Sequence, residues 1–204
     1  MLDSLQQSAP LAVTVAAVLG LLLGSFLNVV IHRVPRMLER EWAQQAAEQR
    51  GEHAPAVERY NLVVPRSHCP ACGHRIGALE NIPLLSWLVQ RGKCAGCGTA
   101  IPVRYPIVEL ATAALSAVAI WRFGATAEGL AAVLLTCFLI ALTFIDFDTQ
   151  LLPDGMTLPL LWLGLLFNLW GTFAPLSTAV IGAMAGYLSL WSIYWLFKLT
   201  TGKE

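Results

Sequence analysis

The sequence predicts an all-α polytopic membrane protein with about five transmembrane helices and a cytoplasmic loop that holds four of its five cysteines. Hydrophobic residues make up 56% of the chain and charged residues only 13%. The mean hydropathy is +0.62, and apolar runs long enough to cross a bilayer recur. This composition excludes a soluble globular domain. Thirteen basic residues balance thirteen acidic ones, so no net charge favours a nucleic-acid partner.

Residues 11–31 form the first predicted transmembrane helix, after a short N-terminal segment. Only small or weakly polar residues interrupt this apolar run, and Gly20 and Gly24 would let another helix pack closely against it. A cleaved signal peptide is the alternative, but the first ten residues contain no lysine or arginine and no small-residue cleavage site follows the run. Residues 1–31 are therefore the first predicted region.

Basic residues determine the predicted orientation in the membrane. Arg33 and Arg36 follow the first apolar run. By the positive-inside rule, the N-terminus then lies outside and the following loop lies in the cytoplasm. That loop, residues 32–104, is the second predicted region. Within it, residues 37–50 have the pattern of a solvated or membrane-surface helix that a glycine would end.

Two similar CxxCG turns in this loop predict a metal site. They supply Cys69, Cys72, Cys94 and Cys97, with 21 residues between the two CxxC pairs. This is the spacing of a tetrahedral four-cysteine zinc site, and four thiolates would close the coordination shell, so the zinc would be structural. Two disulfides or four free thiols are the alternatives. The reducing side of the membrane disfavours the disulfides.

Other residues near these zinc knuckles are assigned no chemistry. His68 and His74 adjoin the first turn and could replace a ligand, but four cysteines already suffice, so we expect both at the surface or beside the ligands. Residues 82–88 are apolar enough to pack on the zinc knuckles or against the membrane. We expect them to pack on the knuckles.

Four further apolar runs make up the third predicted region, residues 105–204. They cover residues 107–119, 129–145, 156–172 and 176–197. Each is read as one membrane crossing, which brings the total to five.

The charges beside these runs agree with five crossings. The end of the chain then lies in the cytoplasm with Lys198 and Lys203, and the only basic residue assigned outside is Arg122. Cys137, near the middle of the third run, is expected to be a small buried hydrophobic residue.

Three aspartates lie where the third apolar run ends. Asp146, Asp148 and Asp154 fall within nine residues. Acids at the end of a membrane-length segment either cap a helix on the water side or form a functional site. Glu109, near the start of the second run, is on the same predicted side. Glu109 could likewise belong to a functional site, or it could lie there only because the helix macrodipole favours an acid in the first turn.

Five sequence strings together resemble the type IV prepilin leader peptidases of bacteria. They are GSFLNVVIHRVP (24–35), the two CxxCG turns, NIPLLSW (81–87), RYPIVEL (104–110) and IDFDTQLLPD (145–154). The resemblance implies a multi-pass aspartic peptidase of the inner membrane. It would remove the short basic leader of prepilins and pseudopilins on the cytoplasmic side. Many members of the family also methylate the new N-terminus with S-adenosylmethionine.

The resemblance also assigns roles to residues. The family's first catalytic aspartate lies seven residues before a proline, which makes it Asp146 here. Asp148, Asp154 and Glu109 are then supporting candidates, and the knuckle cysteines are the metal ligands. The S-adenosylmethionine cofactor rests on the resemblance alone, because the sequence has no glycine-rich loop of the dinucleotide-binding type.

The family's second catalytic aspartate belongs to a GxGD motif, which these 204 residues do not contain. An aspartic mechanism needs one carboxylate to activate water and a second, protonated acid to polarise the carbonyl. We therefore expect the chain to be a C-terminally truncated form with little or no proteolytic activity.

Two other functional classes remain as alternatives. In the first, a non-enzymatic transporter or scaffold uses Asp146 and Glu109 to bind a cation or proton. In the second, the chain is a hydrolase that uses the zinc to activate water. The closed four-thiolate shell disfavours this class because it leaves no position for the water.

Overall fold

The computed structural model describes residues 9–51 and 59–202, which contain six α-helices and one short 3₁₀ turn. The α-helices are α1 (Ala9–Gln49), α2 (Leu85–Val89), α3 (Arg104–Phe123), α4 (Ala127–Thr149), α5 (Asp154–Asn168) and α6 (Leu176–Thr201), and the 3₁₀ turn is Leu79–Asn81. Within these residues the only β-type pairing is two isolated antiparallel bridges. The predicted all-α fold is confirmed. Lys203 and the start of the predicted outside segment lie outside the described residues.

Four helices in the described part of the chain are long and apolar enough to cross a membrane: α1, α3, α4 and α6. They correspond to four of the five predicted spans. The predicted span 156–172 is the 15-residue helix α5. At 1.5 Å per residue α5 is about 22 Å long, against about 30 Å of hydrocarbon. The side-chain oxygen of Asn168 accepts the N–H groups of Phe173 and Ala174, which turns the chain away after α5.

Helix α1 is longer than the sequence predicts. The first span and the separate helix 37–50 are one continuous helix of 41 residues, with Pro35 inside it. A proline removes one helical N–H and disfavours the α conformation of the preceding residue, so the sequence favours a break there. The helix instead ends before Gly51, which has a φ of +67°. It is about 60 Å long, roughly twice the hydrocarbon thickness.

Residues 1–157 form one compact unit, built on α1, α3 and α4. Two glycines of α1 allow its backbone to approach α3. A Cβ atom on Gly20 would lie 2.6 Å from the Cα atom of Ala113, and one on Gly24 would lie 2.6 Å from that of Glu109. The expectation that these glycines permit close packing is confirmed.

The main core cluster of this unit joins the three helices near one end. Its buried residues are Leu27, Val30, Ile31, Val108, Cys137, Ile140, Ala141 and Ile145. Cys137 is therefore a small buried residue of the core, as predicted. Helices α3 and α4 are joined by a short turn in which the Thr126 hydroxyl accepts the N–H of Gly129. Such a short connection makes the two helices antiparallel neighbours, so the end of α4 returns to the start of α3.

Residues 158–204 form a second unit, which contains most of α5 and all of α6. Neither helix has a buried residue in the structure. Helix α6 is apolar on all sides, which is typical of a membrane span. Near its end, the ammonium group of Lys198 lies 5.5 Å from the ring centre of Trp195. An aromatic ring beside a lysine is typical of a membrane interface.

Candidate active site and metal centre

The first CxxCG turn is held by its own backbone. The N–H of Cys69 donates to the carbonyl of His74 at 2.8 Å, and the N–H of Gly73 donates to the carbonyl of Cys69 at 2.9 Å. Gly73 has a φ of +71°, a conformation that glycine adopts without a steric penalty. The turn therefore aims both cysteines of its pair in one direction.

The second turn repeats the first. The N–H of Cys94 donates to the carbonyl of Thr99 at 2.8 Å, the N–H of Gly98 donates to that of Cys94 at 2.9 Å, and Gly98 has a φ of +73°. The sequence repeat is thus a structural repeat.

The two turns bring the four predicted ligands together. The sulfur atoms of Cys69, Cys72, Cys94 and Cys97 all lie within 4.8 Å of one another, and those of Cys69 and Cys97 are 3.9 Å apart. A tetrahedral zinc site with bonds of about 2.3 Å has sulfur–sulfur edges of about 3.8 Å. All four cysteines are free of disulfides. The cluster could therefore hold a metal ion of the size and preference of zinc.

The thiols of this cluster differ in acidity. Hydrogen bonds from the Thr99 hydroxyl and backbone lower the pKa of Cys97 to about 6. A backbone hydrogen bond near His74 lowers the pKa of Cys72, but contacts with the Cys97 thiol and its neighbours outweigh it and raise that pKa to about 12. Four adjacent thiols cannot ionise together without a cation, so the cluster as built favours a bound metal.

The two histidines lie beside the cysteine cluster. The Nε2 atom of His74 lies 3.0 Å from the carboxylate of Glu80. A hydrogen bond from the backbone of Gly77, followed by that from His74, lowers the pKa of Glu80. A Cβ atom on Gly96 would lie 2.9 Å from the Cβ of His74, so the second turn packs on this histidine. His68 bonds instead to the backbone carbonyl of Arg66.

The stretch 82–88 packs on the knuckles only in part. The indole N–H of Trp87 donates to the carbonyl of Ile101 at 3.3 Å, and the ring lies against Gly92. In contrast, Leu85 and Leu88 are 59% and 55% exposed. The prediction for these residues is therefore wrong for one side of the stretch, because a five-residue helix can turn only one face to the knuckles.

Glu109 connects this loop to the membrane helices. It is only 7% exposed, and its Oε2 atom accepts the N–H of Leu84 at 2.7 Å. Its carboxylate also hydrogen-bonds with the side chain of Ser25. Leu84 has a φ of +62°, which is unfavourable for a leucine, so the carboxylate stabilises a strained backbone position.

The three aspartates have different surroundings. Asp148 accepts from Arg104 at 2.5 Å, and the guanidinium group of Arg104 also lies over the Phe144 ring. Asp154 is the exposed first residue of α5. Asp146 is half-buried in the last turn of α4, where its backbone carbonyl accepts from Gln150. In the part of the chain that the structure describes, the Asp146 carboxylate has no hydrogen bond or ion pair.

The structure therefore places Asp146 and Asp148 at one helix end but pairs only Asp148. It engages Glu109 with the loop rather than with either aspartate. Of the four predicted acids, Asp146 is the half-buried carboxylate that stays available for a substrate or a second acid.

Comparison with known proteins identifies the family of the chain. Residues 18–123 match the sequence model of the bacterial peptidase A24 N-terminal domain, and residues 133–202 match that of the type IV leader peptidase family. The chain belongs to the type IV leader peptidase family. Both the cysteine cluster and Glu109 lie in the first match, and Asp146 lies in the second. Membership of this family favours the peptidase over the transporter or scaffold.

Curated relatives in the family carry the name prepilin leader peptidase/N-methyltransferase. The protein of Aeromonas salmonicida (strain A449) is 62% identical over 91% of this chain and 65% of its own length. Those of Pseudomonas putida and Pseudomonas aeruginosa are 56% and 57% identical, over 94% and 97% of this chain and 67% and 69% of their lengths. The chain thus spans about two thirds of the length of these relatives. No solved structure matches it.

Sequence reasoning missed one buried residue near the start of the loop. Arg33 is 7% exposed and donates to the backbone carbonyls of Asn61 and Pro65 at 2.8 and 2.6 Å. It therefore fixes the start of the loop, beyond its predicted role as a charge that orients the first span. In the sequence, Arg33 is marked only by its position directly after an apolar run. An exposed arginine at the membrane interface has the same position, so the sequence does not reveal the burial of Arg33.

Proposed function

We propose that this chain carries the first catalytic aspartate, Asp146, of a prepilin leader peptidase. The proposed reaction is removal of the short basic leader of prepilins and pseudopilins at the cytoplasmic face of the bacterial inner membrane. The observation that carries the proposal is the free, half-buried carboxylate of Asp146 at the end of α4, in a member of the type IV leader peptidase family.

The chemistry assigns Asp146 one of two roles. As a carboxylate it would take a proton from the attacking water, and as a carboxylic acid it would polarise the scissile carbonyl. Asp148 is unsuited to the other role because Arg104 holds it as an ion pair. Glu109 is bound by Leu84. The resemblance implies that the second acid belongs to a GxGD motif, so Asp148, Asp154 and Glu109 would support the site rather than share the proton.

Zinc is the proposed occupant of the cysteine cluster, with a structural role. Cys69, Cys72, Cys94 and Cys97 would supply all four bonds, which leaves no position for a catalytic water. Bound zinc would hold the two knuckles together and thereby fix the loop beside the start of α3.

Methylation of the new N-terminus is the second proposed activity. It is supported by the printed name of the relatives, prepilin leader peptidase/N-methyltransferase. S-adenosylmethionine would be the methyl donor.

The proposed topology places the N-terminus outside and residues 32–104 in the cytoplasm. Arg33 and Arg36, after the first apolar run, support it. The catalytic aspartate and the cysteine cluster then share one compartment, because Arg104 at the end of the loop contacts Asp148.

A chimera tests this function. The chain replaces the 199 aligned residues of the Pseudomonas aeruginosa relative, in cells that lack that relative. We expect prepilin in these cells to be shortened by its leader and methylated, as mass spectrometry would show. An Asp146→Asn chimera should insert into the membrane and leave prepilin uncleaved. Normal cleavage by that variant would exclude Asp146 as a catalytic residue.

A further inference from the structure

One apolar surface of the loop stays exposed between the two knuckles. Its residues are Leu79, Ile82, Leu85, Leu88 and Val89, which we call the interknuckle face. Leu79 and Val89 are 81% and 82% exposed. Four of the five residues line an open groove of about 300 Å³. Large apolar side chains that cluster on a surface in this way mark a site of contact with a protein or a membrane.

Two polar side chains of the segment 79–89 hold it to its surroundings. The Glu80 carboxylate is held by His74 of the first knuckle, at 3.0 Å. The Trp87 indole is held by the carbonyl of Ile101, beyond the second knuckle, at 3.3 Å. Residues near both ends of the segment 79–89 are therefore bonded to the knuckles, while Leu85 and Leu88 between them stay 59% and 55% exposed.

The bond between Leu84 and Glu109 sets the position of the face. Leu84 lies in the middle of the segment, and Glu109 is five residues into α3, or about 7 Å from the start of that membrane helix. The segment is thus fixed at the level where α3 enters the membrane. Near that level α3 exposes its own apolar residues, among them Ile107 and Leu110, at 51% and 48%.

We propose that the interknuckle face lies in the bilayer itself, among the lipid headgroups and the upper acyl chains. The partner of the face is phospholipid, because the face lies at the same depth as the exposed apolar residues at the start of α3. Exposed Arg91 and Lys93 follow directly after it. An apolar face flanked by basic residues matches an interfacial segment bound to anionic lipid. This inference requires only that α1 and α3 span the membrane, and it does not depend on peptidase activity.

A depth measurement in lipid nanodiscs tests the proposal. An environment-sensitive fluorescent amino acid replaces Val89, and the nanodiscs contain either ordinary or brominated phosphatidylcholine with phosphatidylglycerol. We expect blue-shifted emission that brominated lipid quenches. The matched control carries the same fluorophore in place of Arg75, a charged and exposed residue of the first knuckle. Its emission should be red-shifted and unquenched.

A second variant separates lipid contact from folding. Leu85→Glu together with Leu88→Glu should remove the quenching at position 89 while the metal content per chain stays unchanged. Emission at position 89 that brominated lipid does not quench would overturn the proposal. So would emission that shifts only when a prepilin is added, since the face would then be a protein-docking surface.

Discussion

The cysteine cluster and the carboxyl end of α4 are built in opposite ways. The cluster uses two copies of one short turn, each closed by its own backbone hydrogen bonds, and its four sulfurs already have the spacing of a metal site. At the end of α4, Asp148 is neutralised by Arg104, whereas the neighbouring Asp146 carboxylate is left free within the described residues. The first region thus contains all four of its candidate metal ligands. The role proposed for Asp146 in the second region requires a further group, the second acid.

This difference predicts that substitutions in the two regions have different effects. Substitutions in the cluster should first change metal content and protein abundance. Substitutions at the end of α4 should change cleavage and leave the fold intact. The following variants test that separation, from the largest expected effect to the smallest.

Cys94→Ser is expected to have the largest effect. Removing one of four thiolates should release the metal, and structural zinc contributes on the order of 10 kcal/mol to the folding of small metal-dependent modules. We expect metal content near zero by elemental analysis of the purified protein, together with low abundance. Cys137→Ala, at the buried fifth cysteine, should keep its metal. Full metal content in Cys94→Ser would show that the cluster is not the binding site.

Asp146→Asn should affect catalysis alone. The loss of a catalytic acid or base typically costs about 10²- to 10⁴-fold in rate. We expect that loss in leader cleavage by the chimera, with normal metal content and thermal stability. Asp154→Asn, at the exposed start of α5, is the matched control and should retain most of the cleavage. If Asp146→Asn also lost its metal, the two regions would not be separable.

Gly24→Ala should loosen the contact between α1 and α3. Its new methyl group would lie 2.6 Å from the Cα atom of Glu109, and overpacking of this kind costs about 1–3 kcal/mol. We expect a lower thermal unfolding temperature in detergent. Gly186→Ala in α6 meets no atom within 4 Å and should have little effect on that temperature. Equal effects of the two substitutions would show that the close approach of the helices is not needed for stability.

Asp148→Asn should have the smallest effect on stability. The Arg104–Asp148 pair is about one-third exposed, and exposed pairs contribute about 0–1 kcal/mol. We expect a small decrease in unfolding temperature at low salt that disappears at high salt, because mobile ions screen the pair. A large, salt-independent decrease would indicate that Asp148 belongs to the packed core of the unit.

Local patterns made most of the fold and the metal centre predictable. Hydropathy located four helices that can span a membrane, and the spacing of the cysteines predicted their cluster, because both signals lie within short stretches. The continuity of α1 was not predictable in this way. Pro35 favours a break in the helix, yet the helix continues through it. Arg33, two residues earlier, is buried and donates to two backbone carbonyls of the loop, which are distant in sequence.

The surroundings of the acids depend on contacts distant in sequence. Asp148 meets Arg104 across 44 residues, and Glu109 meets Leu84 across 25. No local periodicity encodes either contact. The sequence could therefore name four candidate acids, but only the tertiary structure distinguishes Asp146 as the half-buried one without a hydrogen bond or ion pair among the described residues.

The repeat of the two knuckles also sets an order of events during synthesis. Because each turn supplies only two of the four sulfurs, the cluster cannot close until the chain has been translated through Thr99, which completes the second turn. Translation at about 5–20 residues per second separates the two turns by a few seconds at most. Helix α1 leaves the ribosome before this point and α3 after it. The two knuckles can therefore close while α1 is the only long helix that has left the ribosome, and Glu109 afterwards fixes Leu84.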